Sequence, residues 1–371
     1  MSSDAPHDVP NARLQALIRQ AIERQGGWLP FDRFMAMALY APGLGYYAHG
    51  SRKFGSLPQS GSDFVTAPEL SPVFGQALAR QVSQALGASL THEVWEFGAG
   101  SGALAEQLLD VLVPQGLRRY TIVDLSGSLR ERQRERLARF GDTVQWANEL
   151  PAEMVGVVVG NEVLDAMPVQ LLHFDGAQWL ERGVVVHEGQ FAWGDVPTAL
   201  RPPVDTPFVP GTVTEIHVQA EAFIGTLADR LQRGASFFID YGFPEAEFYH
   251  PQRHGGTLMC HRAHQADANP LIDVGDKDIT AHINFTGIAL AGQNAGLAVL
   301  GYTSQAHFLL NCGMASLLEG ADHRTTVPAQ VLLHEHEMGE LFKVIGFARG
   351  CDAAFMADPL GFSHGDRSHR L

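Results

Sequence analysis

The sequence predicts an α/β protein whose mainly parallel sheet carries helices on both faces. From about residue 91, short apolar runs alternate with runs whose apolar residues recur at helical spacing. A glycine-rich loop, GAGSG at residues 98–102, joins the first apolar run to the first of these helices. The 371 residues, 45% of them hydrophobic, suffice for a large core with additional segments.

Residues 1–90 are predicted to form a helical N-terminal segment that contributes to the ligand-binding cleft. Apolar residues recur at helical spacing in NARLQALIRQAIER and in PFDRFMAMALY, and another helix follows the polar loop that begins at GSDFVTAPELSP. The first residues lack the basic and apolar regions of a signal peptide. Together with three widely spaced cysteines, this indicates a reducing cytoplasm.

Residues 91–371 are predicted to form the sheet domain, with two insertions. Its expected strands are, in order, EVWEF, RYTIVDL, TVQWA, VGVVVG, ASFFIDYGF, LAVLGYTSQ and ELFKVIGFARG. The insertion at about 168–230 alternates apolar and polar residues around the turns Asp175-Gly176 and Glu188-Gly189, which predicts antiparallel strands. The insertion at about 244–296 is a long stretch rich in Gly and His, and its length is typical of a lid.

The acidic balance of the chain restricts its partners. Asp and Glu number 41 against 26 Lys and Arg, so the formal net charge is −15. Such a surface repels nucleic-acid phosphates and anionic membranes, and it suits a cationic partner. No apolar run has the length needed to span a membrane. We therefore expect neither nucleic acid nor a membrane span. The oligomeric state stays open, a homodimer included.

The glycine loop has two candidate ligands. Gly98, Gly100 and Ala103 satisfy the dinucleotide pattern G-x-G-x-x-G/A, which would suit a nicotinamide or flavin. Glu96 precedes the loop and would sit poorly beside a pyrophosphate, whereas it can hold the ammonium of a methionine moiety. Asp124 ends the second strand, where a carboxylate accepts the ribose hydroxyls of either cofactor. The acidic residues that end the fourth strand favour S-adenosylmethionine over the dehydrogenase alternative.

Six blocks in order carry a family resemblance: ALYAPGLGYY, GSDFVTAPELSPVFG, WEFGAGSG, GNEVLDAMPVQ, FFIDYG and GDKDITAHINFT. Together they resemble the mitochondrial complex I assembly-factor family of methyltransferases and its bacterial relatives, from about residue 27 to 350. The resemblance implies a seven-stranded, Rossmann-like class I methyltransferase sheet with S-adenosylmethionine as the cofactor. It also implies methyl transfer to an arginine, which in the mitochondrial members belongs to a complex I subunit. The chain start has no transit peptide, so a bacterial cytosolic member is expected.

Three carboxylates are candidate catalytic residues. Arginine stays protonated at any accessible pH, and carboxylates can fix its guanidinium plane by paired hydrogen bonds. Glu162 and Asp165 lie three residues apart beyond the fourth strand, so a helical turn there would point both to one side. Asp240 and Tyr241 end the fifth strand, where either could accept a proton or orient the substrate. The alternatives are a helix-capping pair with a solvated acid, and a turn residue at Asp240.

The expected cofactor-binding residues follow from the motif positions and the resemblance: Glu96, Gly98, Gly100, Gly102, Asp124, Leu125, Asn161, Thr66 and Glu69. Asp124 or Ser126 could instead cap a helix, and Asp63 or Thr66 could cap the helix near Pro68 or Pro72. Tyr46 and Tyr47 would cover the cofactor or lie in the core.

The 17 histidines raise the question of a metal, but no spacing matches a standard zinc site. Cys260, His261 and His264 stand close together, and His334 and His336 flank Glu335. No metal is expected, and His261, His264 and His282 are predicted to line the lid or to hydrogen-bond within it. Three functions remain open: a protein arginine methyltransferase, a small-molecule methyltransferase, and an assembly factor that binds the cofactor with little turnover.

Overall fold

The structure is a computed structural model and describes residues 8–48, 65–124, 127–262 and 265–371. The α-helices of these residues, numbered along the chain, are α1 (Asp8–Arg24), α2 (Phe31–Tyr40), α3 (Ala67–Leu70), α4 (Pro72–Ser89), α5 (Ala103–Leu112), α6 (Gly127–Leu137), α7 (Val218–Arg230), α8 (Glu245–Phe248), α9 (Phe285–Asn294), α10 (Gln305–Asn311), α11 (Met314–Leu318), α12 (His323–Leu333), α13 (Met338–Leu341) and α14 (Ala353–Ala357).

The β-strands of the same residues are β1 (Leu29–Pro30), β2 (Glu93–Phe97), β3 (Arg119–Val123), β4 (Val144–Ala147), β5 (Met154–Asn161), β6 (Gln170–Phe174), β7 (Trp179–His187), β8 (Gln190–Pro197), β9 (Val213–Ile216), β10 (Leu231–Phe243), β11 (Met259–Arg262), β12 (Gln265–Asp267), β13 (Asp278–Thr280), β14 (Ile283–Asn284), β15 (Ala298–Ser304) and β16 (Phe342–Arg349).

The chain divides into two compact units. The sheet unit contains residues 65–164 with Glu221–Pro244 and Ile283–Leu371, and the insertion unit contains residues 8–48 with Asp165–Ala220 and Glu245–His282. The prediction placed a boundary at residue 90. The structure instead groups α3 and α4 with the sheet, because apolar residues of α4 such as Phe74, Leu78 and Val82 belong to the core of the sheet unit.

The sheet unit contains the predicted parallel sheet. Its strands are ordered β15-β16-β10-β5-β2-β3-β4, and the short β14 pairs with β10. β10, β5, β2, β3 and β4 run parallel, whereas β16 is antiparallel to both of its neighbours. The two final strands of the prediction, β15 and β16, are therefore confirmed as members of this sheet. The near-continuous apolar sequence of β5 is buried, as expected for a central parallel strand.

The insertion unit contains two smaller sheets together with α1, α2 and α8. One sheet has the order β1-β7-β6-β9 with β8 on β7, and the other has the order β12-β11-β13. The antiparallel strands predicted for the first insertion are confirmed, and Gly176, Glu188 and Gly189 in its turns have positive φ. The long stretch that was predicted to be a lid forms regular secondary structure in both units. Its sequence forms β11, β12 and β13, and its last part is α9 of the sheet unit.

Apolar residues of α1 and α2 fill the core of the insertion unit, with Leu14, Phe31 and Phe34 completely buried. No helix among the described residues is both long and apolar enough to cross a membrane.

Candidate functional site

The glycine loop between β2 and α5 has a backbone conformation that residues with a side chain rarely adopt. Gly98, Gly100 and Gly102 have φ of 61°, 52° and 83°, in the left-handed region. A Cβ atom added at Gly98 would lie 3.0 Å from Cγ2 of Val163. Gly102 is the N-cap of α5 and has no side chain to cap it, and the amide of Ala103 donates to Oγ of Ser101 in the loop at 3.3 Å. This geometry permits close approach of an anionic or polar ligand to the backbone.

Glu96 lies at the end of β2 and is almost completely buried. Its Oε2 accepts a hydrogen bond from the hydroxyl of Tyr120 at 2.7 Å. Burial raises the pKa of the Glu96 carboxyl to about 8, and the charge of Asp124 adds to this, although the Tyr120 hydrogen bond opposes it. At neutral pH the carboxyl therefore keeps its proton, and a nearby cation would favour its ionised form.

Asp124 follows β3 and is held by a buried glutamine. Nε2 of Gln133 donates to Oδ2 of Asp124 and to the carbonyl of Gly100, each at 2.9 Å. Oε1 of Gln133 accepts from the indole of Trp146 at 2.9 Å. One side chain therefore joins the glycine loop, the end of β3 and β4. Gln133 is not among the site residues predicted from the sequence.

Glu69 contacts Ser101 of the glycine loop and Arg136 of α6. Arg136 pairs with Glu69 at 3.3 Å and donates to Oγ of Ser101 at 2.6 Å, and this hydroxyl also bonds to the Glu69 carboxylate. Glu69 thus supports the loop through its neighbours in this structure. Thr66 is the N-cap residue of α3, but its side chain makes no capping hydrogen bond.

Helix α6 supplies several of these supporting side chains. Arg130, Gln133 and Arg136 recur every third residue, and Arg130 donates to the carbonyls of Asp124 and Ala147. The spacing was visible in the sequence as polar residues on one helical face. A highly charged helix normally indicates a solvated face, so the pattern was not recognised as support for a site.

The loop after β5 differs from its prediction. No helix follows Asn161, and Glu162 has φ of 54°, a conformation that costs free energy for a residue with a side chain. Nδ2 of Asn161 donates to Oε1 of Glu162 at 2.9 Å. Oδ1 of Asn161 is buried without a hydrogen-bond partner among the described residues. The side chains of Glu162 and Asp165 are therefore not arranged by a helical turn.

Asp240 is completely buried in β10, which continues beyond Tyr241 to Phe243. Its Oδ2 accepts from the backbone amides of Val163 and Leu164 at 3.2 and 2.9 Å, and its Oδ1 accepts from the amide of Tyr241 at 2.9 Å. The expectation that Asp240 and Tyr241 end the strand is wrong. Asp240 holds the backbone beside Glu162, which is the geometry of a positioning carboxylate.

Asp165 belongs to the insertion unit, whereas Glu162 and Asp240 belong to the sheet unit. Its side chain is buried and its carbonyl accepts from the amide of Ala281 at 3.0 Å. Tyr47 donates to both carboxylate oxygens of Asp278 at 2.9 Å, and burial together with these acids raises its pKa. Tyr46 is completely buried, so both tyrosines lie with the core of this unit.

Leu125, Asp63, Ser126 and His264 lie outside the described residues. Within the described ranges, no three His, Cys, Asp or Glu side chains are grouped so that they could hold a metal ion. His217 is buried, and its Nε2 lies 2.6 Å from the backbone carbonyl oxygen of His282. Burial lowers the pKa of His217 to about 4.

The candidate cofactor residues of the sheet unit meet at one edge. β2 is paired with β3 and β5, so Phe97, Val123 and Gly160 lie at neighbouring strand ends, and Ile239 of the longer strand β10 pairs with Asn161 at the end of β5. Glu96, the glycine loop, Asp124, Asn161 and Glu162 follow or end these strands. In open parallel sheets, ligands bind outside the carboxyl ends of the strands. The left-handed glycines and the unsatisfied Asn161 oxygen fit a polar ligand at this edge.

Comparison with known proteins identifies the ligand. A family model described as "Putative S-adenosyl-L-methionine-dependent methyltransferase" matches residues 76–303. The chain is 49% identical to a protein from Burkholderia thailandensis, described as a "likely methyl transferase", in its crystal structure bound to S-adenosyl-homocysteine. That structure matches with a TM-score of 0.93 over 100% of both chains. S-adenosylmethionine is therefore the cofactor, and the expectation for it is confirmed.

Curated relatives cover most of the same sequence. The chain is 24% identical to the mitochondrial protein arginine methyltransferase NDUFAF7 homolog of Drosophila melanogaster, over 89% of this chain and 84% of the relative. It is 26% identical to the mitochondrial protein arginine methyltransferase NDUFAF7 of Homo sapiens, over 85% and 79%. With its fold, its glycine loop and a family match across more than half of its length, the chain belongs to the S-adenosyl-L-methionine-dependent methyltransferases of this family.

Proposed function

We propose that this methyltransferase modifies an arginine of a protein substrate, with Glu162 as the residue that binds the guanidinium. The observation that carries the proposal is the backbone of Glu162, which is held at φ of 54° on the strand end next to the glycine loop. A strained residue with a charged side chain at such a position is more often retained for function than for stability. The names of the relatives from Drosophila melanogaster and Homo sapiens support the same substrate class.

The chemistry requires orientation more than activation. S-adenosylmethionine supplies an electrophilic methyl group, whose bond to sulfur breaks as the bond to nitrogen forms. Arginine is a poor nucleophile because its lone pairs are delocalised over a protonated guanidinium. A carboxylate at Glu162 would fix the guanidinium plane and draw positive charge away from the reacting nitrogen. The proton then leaves the methylated nitrogen, and a carboxylate or water accepts it.

The net charge of −15 favours a basic, flexible segment as the substrate. The resemblance in sequence supports an arginine of a respiratory complex I subunit, or of its bacterial counterpart in the cytosol, methylated before assembly. Asp165 remains a candidate for a second substrate carboxylate.

One experiment separates the three functions. The purified full chain is incubated with methyl-labelled S-adenosylmethionine and a lysate from cells that lack its gene. Label in a protein, with methylarginine found by mass spectrometry, supports the proposal. Label in small molecules overturns it in favour of a small-molecule methyltransferase. Cofactor binding without any transfer of label overturns it in favour of an assembly factor.

Glu162→Gln tests the role of the carboxylate. It keeps the size and hydrogen bonding of the side chain but removes the charge that pairs with guanidinium. We expect cofactor affinity near wild type and methyl transfer at least about tenfold slower, a loss of about 1.4 kcal/mol in transition-state stabilisation. The matched control is Glu153→Gln, an exposed residue just before β5, which should leave both unchanged. Equal transfer by both variants would contradict the role of Glu162.

A further inference from the structure

Helix α6 bears a side chain whose three hydrogen bonds converge on the cofactor edge of the sheet. Gln133 is completely buried, although it lies among charged residues in the sequence RERQRER. Burying a primary amide costs free energy unless its hydrogen bonds are made. Gln133 makes them to the glycine loop, to Asp124 and to Trp146. A leucine would fill the same space without this requirement, so packing alone does not explain the residue.

Trp146 determines which end of the Gln133 amide faces Asp124. An indole N–H can only donate, so the atom that it contacts must be the amide oxygen. The amide nitrogen is then on the opposite side, where its two hydrogens reach the Asp124 carboxylate and the Gly100 carbonyl. The orientation of the amide is thus fixed by the hydrogen-bond network.

We propose that Gln133 is a positioning residue for the cofactor ribose: it holds one oxygen of Asp124 so that the carboxylate is presented to the ribose hydroxyls in one orientation. The inference rests on the assignment of Asp124 as the ribose-binding residue. Gln133 acts through Asp124, and its bond to Gly100 keeps the glycine loop in register with that carboxylate. Trp146 acts one step further away, through Gln133.

The test is a set of calorimetric titrations of the full chain with S-adenosylhomocysteine and with its 2′-deoxy and 3′-deoxy analogues. Gln133→Leu should weaken S-adenosylhomocysteine binding at least about tenfold. The same variant should weaken binding of at least one deoxy analogue much less, because that analogue lacks the hydroxyl that Asp124 serves. Equal weakening for all three ligands would indicate a merely structural role and would overturn the proposal.

Two variants guard against a general loss of structure. Trp146→Phe removes the indole donor and leaves Gln133 in place, so it should reduce affinity for S-adenosylhomocysteine by a smaller factor and shift the preference among the ligands away from wild type in the same direction as Gln133→Leu. Gln145→Leu, at an exposed position of β4, should leave all three affinities unchanged. If Gln133→Leu does not fold, the ligand preference of Trp146→Phe decides the proposal, and an unchanged preference overturns it.

Asp124→Asn separates this proposal from its premise. If it binds S-adenosylhomocysteine and the deoxy analogues with the wild-type preference, Asp124 does not read the ribose, and the premise and the proposal fall together. If Asp124→Asn loses the preference and Gln133→Leu keeps it, only the role of Gln133 is wrong. Neither result affects the identity of the methyl acceptor, which the labelling experiment determines.

Discussion

Two loops at neighbouring strand ends adopt left-handed backbone in different ways. The loop after β2 uses Gly98, Gly100 and Gly102, which reach positive φ without a steric penalty. The loop after β5 places Glu162 in the same region, where a Cβ atom costs about 1–2 kcal/mol. The first loop needs the absence of side chains so that a ligand can approach the backbone. In the proposed function the second needs a side chain at its strained position, and the surrounding structure must hold it there.

The holding group is the Asp240 carboxylate, which accepts from the two amides that follow Glu162. The amide of Glu162 itself donates to the carbonyl of Ile239 at 2.9 Å. The glycine loop is supported differently, by side chains of α6 that contact its carbonyls and its serine. The glycine loop is thus supported by side chains of one neighbouring helix, whereas the strained backbone at Glu162 is fixed by the buried carboxyl group of Asp240.

The largest expected effect comes from removing the buried carboxyl group of Asp240. Asp240→Ala removes the acceptor of the Val163 and Leu164 amides, and we expect a loss of about 3 kcal/mol or more in the free energy of unfolding. Urea denaturation of the cofactor-free protein measures it. The control Asp229→Ala, at an exposed site near the end of α7, should change stability by less than about 0.5 kcal/mol. Unchanged stability with lost activity would make Asp240 a catalytic base instead of a positioning residue.

The next effect concerns the glycine loop after β2. Gly98→Ala forces a Cβ atom into positive φ and against Val163, so S-adenosylhomocysteine should bind about tenfold more weakly, as measured by calorimetry. Gly116→Ala is the matched control, because Gly116 also has positive φ but nothing lies within 4 Å of an added Cβ. It should lower stability and leave cofactor affinity intact. A similar loss of affinity in both variants would mean that backbone strain, not the approach of the ligand, explains the glycine.

A third variant turns one loop into the other. Glu162→Gly should relieve the strain and raise the free energy of unfolding by about 0.5–1 kcal/mol, the relief being partly offset by glycine entropy. Methyl transfer should fall at least about tenfold. Glu188→Gly is the control, because Glu188 has φ of 49° in an exposed turn, so it should gain stability without losing activity. Thermal unfolding and the labelling assay measure both properties, and full activity in Glu162→Gly would refute the functional reason for the strain.

A pH dependence is expected at Glu96. Its pKa is raised from 4.5 to about 8 in the folded protein, so ionisation is harder in the folded than in the unfolded state. Stability from this group is therefore full below about pH 4.5 and is lost as the pH rises toward 8. The melting temperature of Glu96→Gln should rise progressively above that of wild type over this pH range, by about 2 °C or more near pH 8. A difference that stays constant with pH would show that Glu96 is already ionised.

Much of the sheet unit follows from local sequence pattern. EVWEF corresponds to β2, and TVQWA and LAVLGYTSQ contain β4 and β15, because apolar runs bounded by turn residues determine strands locally. The glycine loop was also predictable, since its residue types have a specific backbone role. The residues that support the two loops could not be predicted in this way. Asp240 lies 77 residues from Val163, and Gln133 lies 33 residues from Gly100, so only the folded chain brings them together.

The place of β16 in the sheet has a consequence for biosynthesis. β16 lies between β10 and β15 and is hydrogen-bonded to both, yet it comes after both of them in the sequence. Until residues 342–349 have left the ribosome, β10 and β15 have no partner on those edges, and exposed strand edges of nascent chains favour aggregation. Completion of the sheet must therefore wait until residue 349 has been synthesised. A nonsense mutation or ribosome stall shortly before residue 342 would release a chain that already contains the cofactor loop but has an open sheet, a natural target for chaperones and proteases.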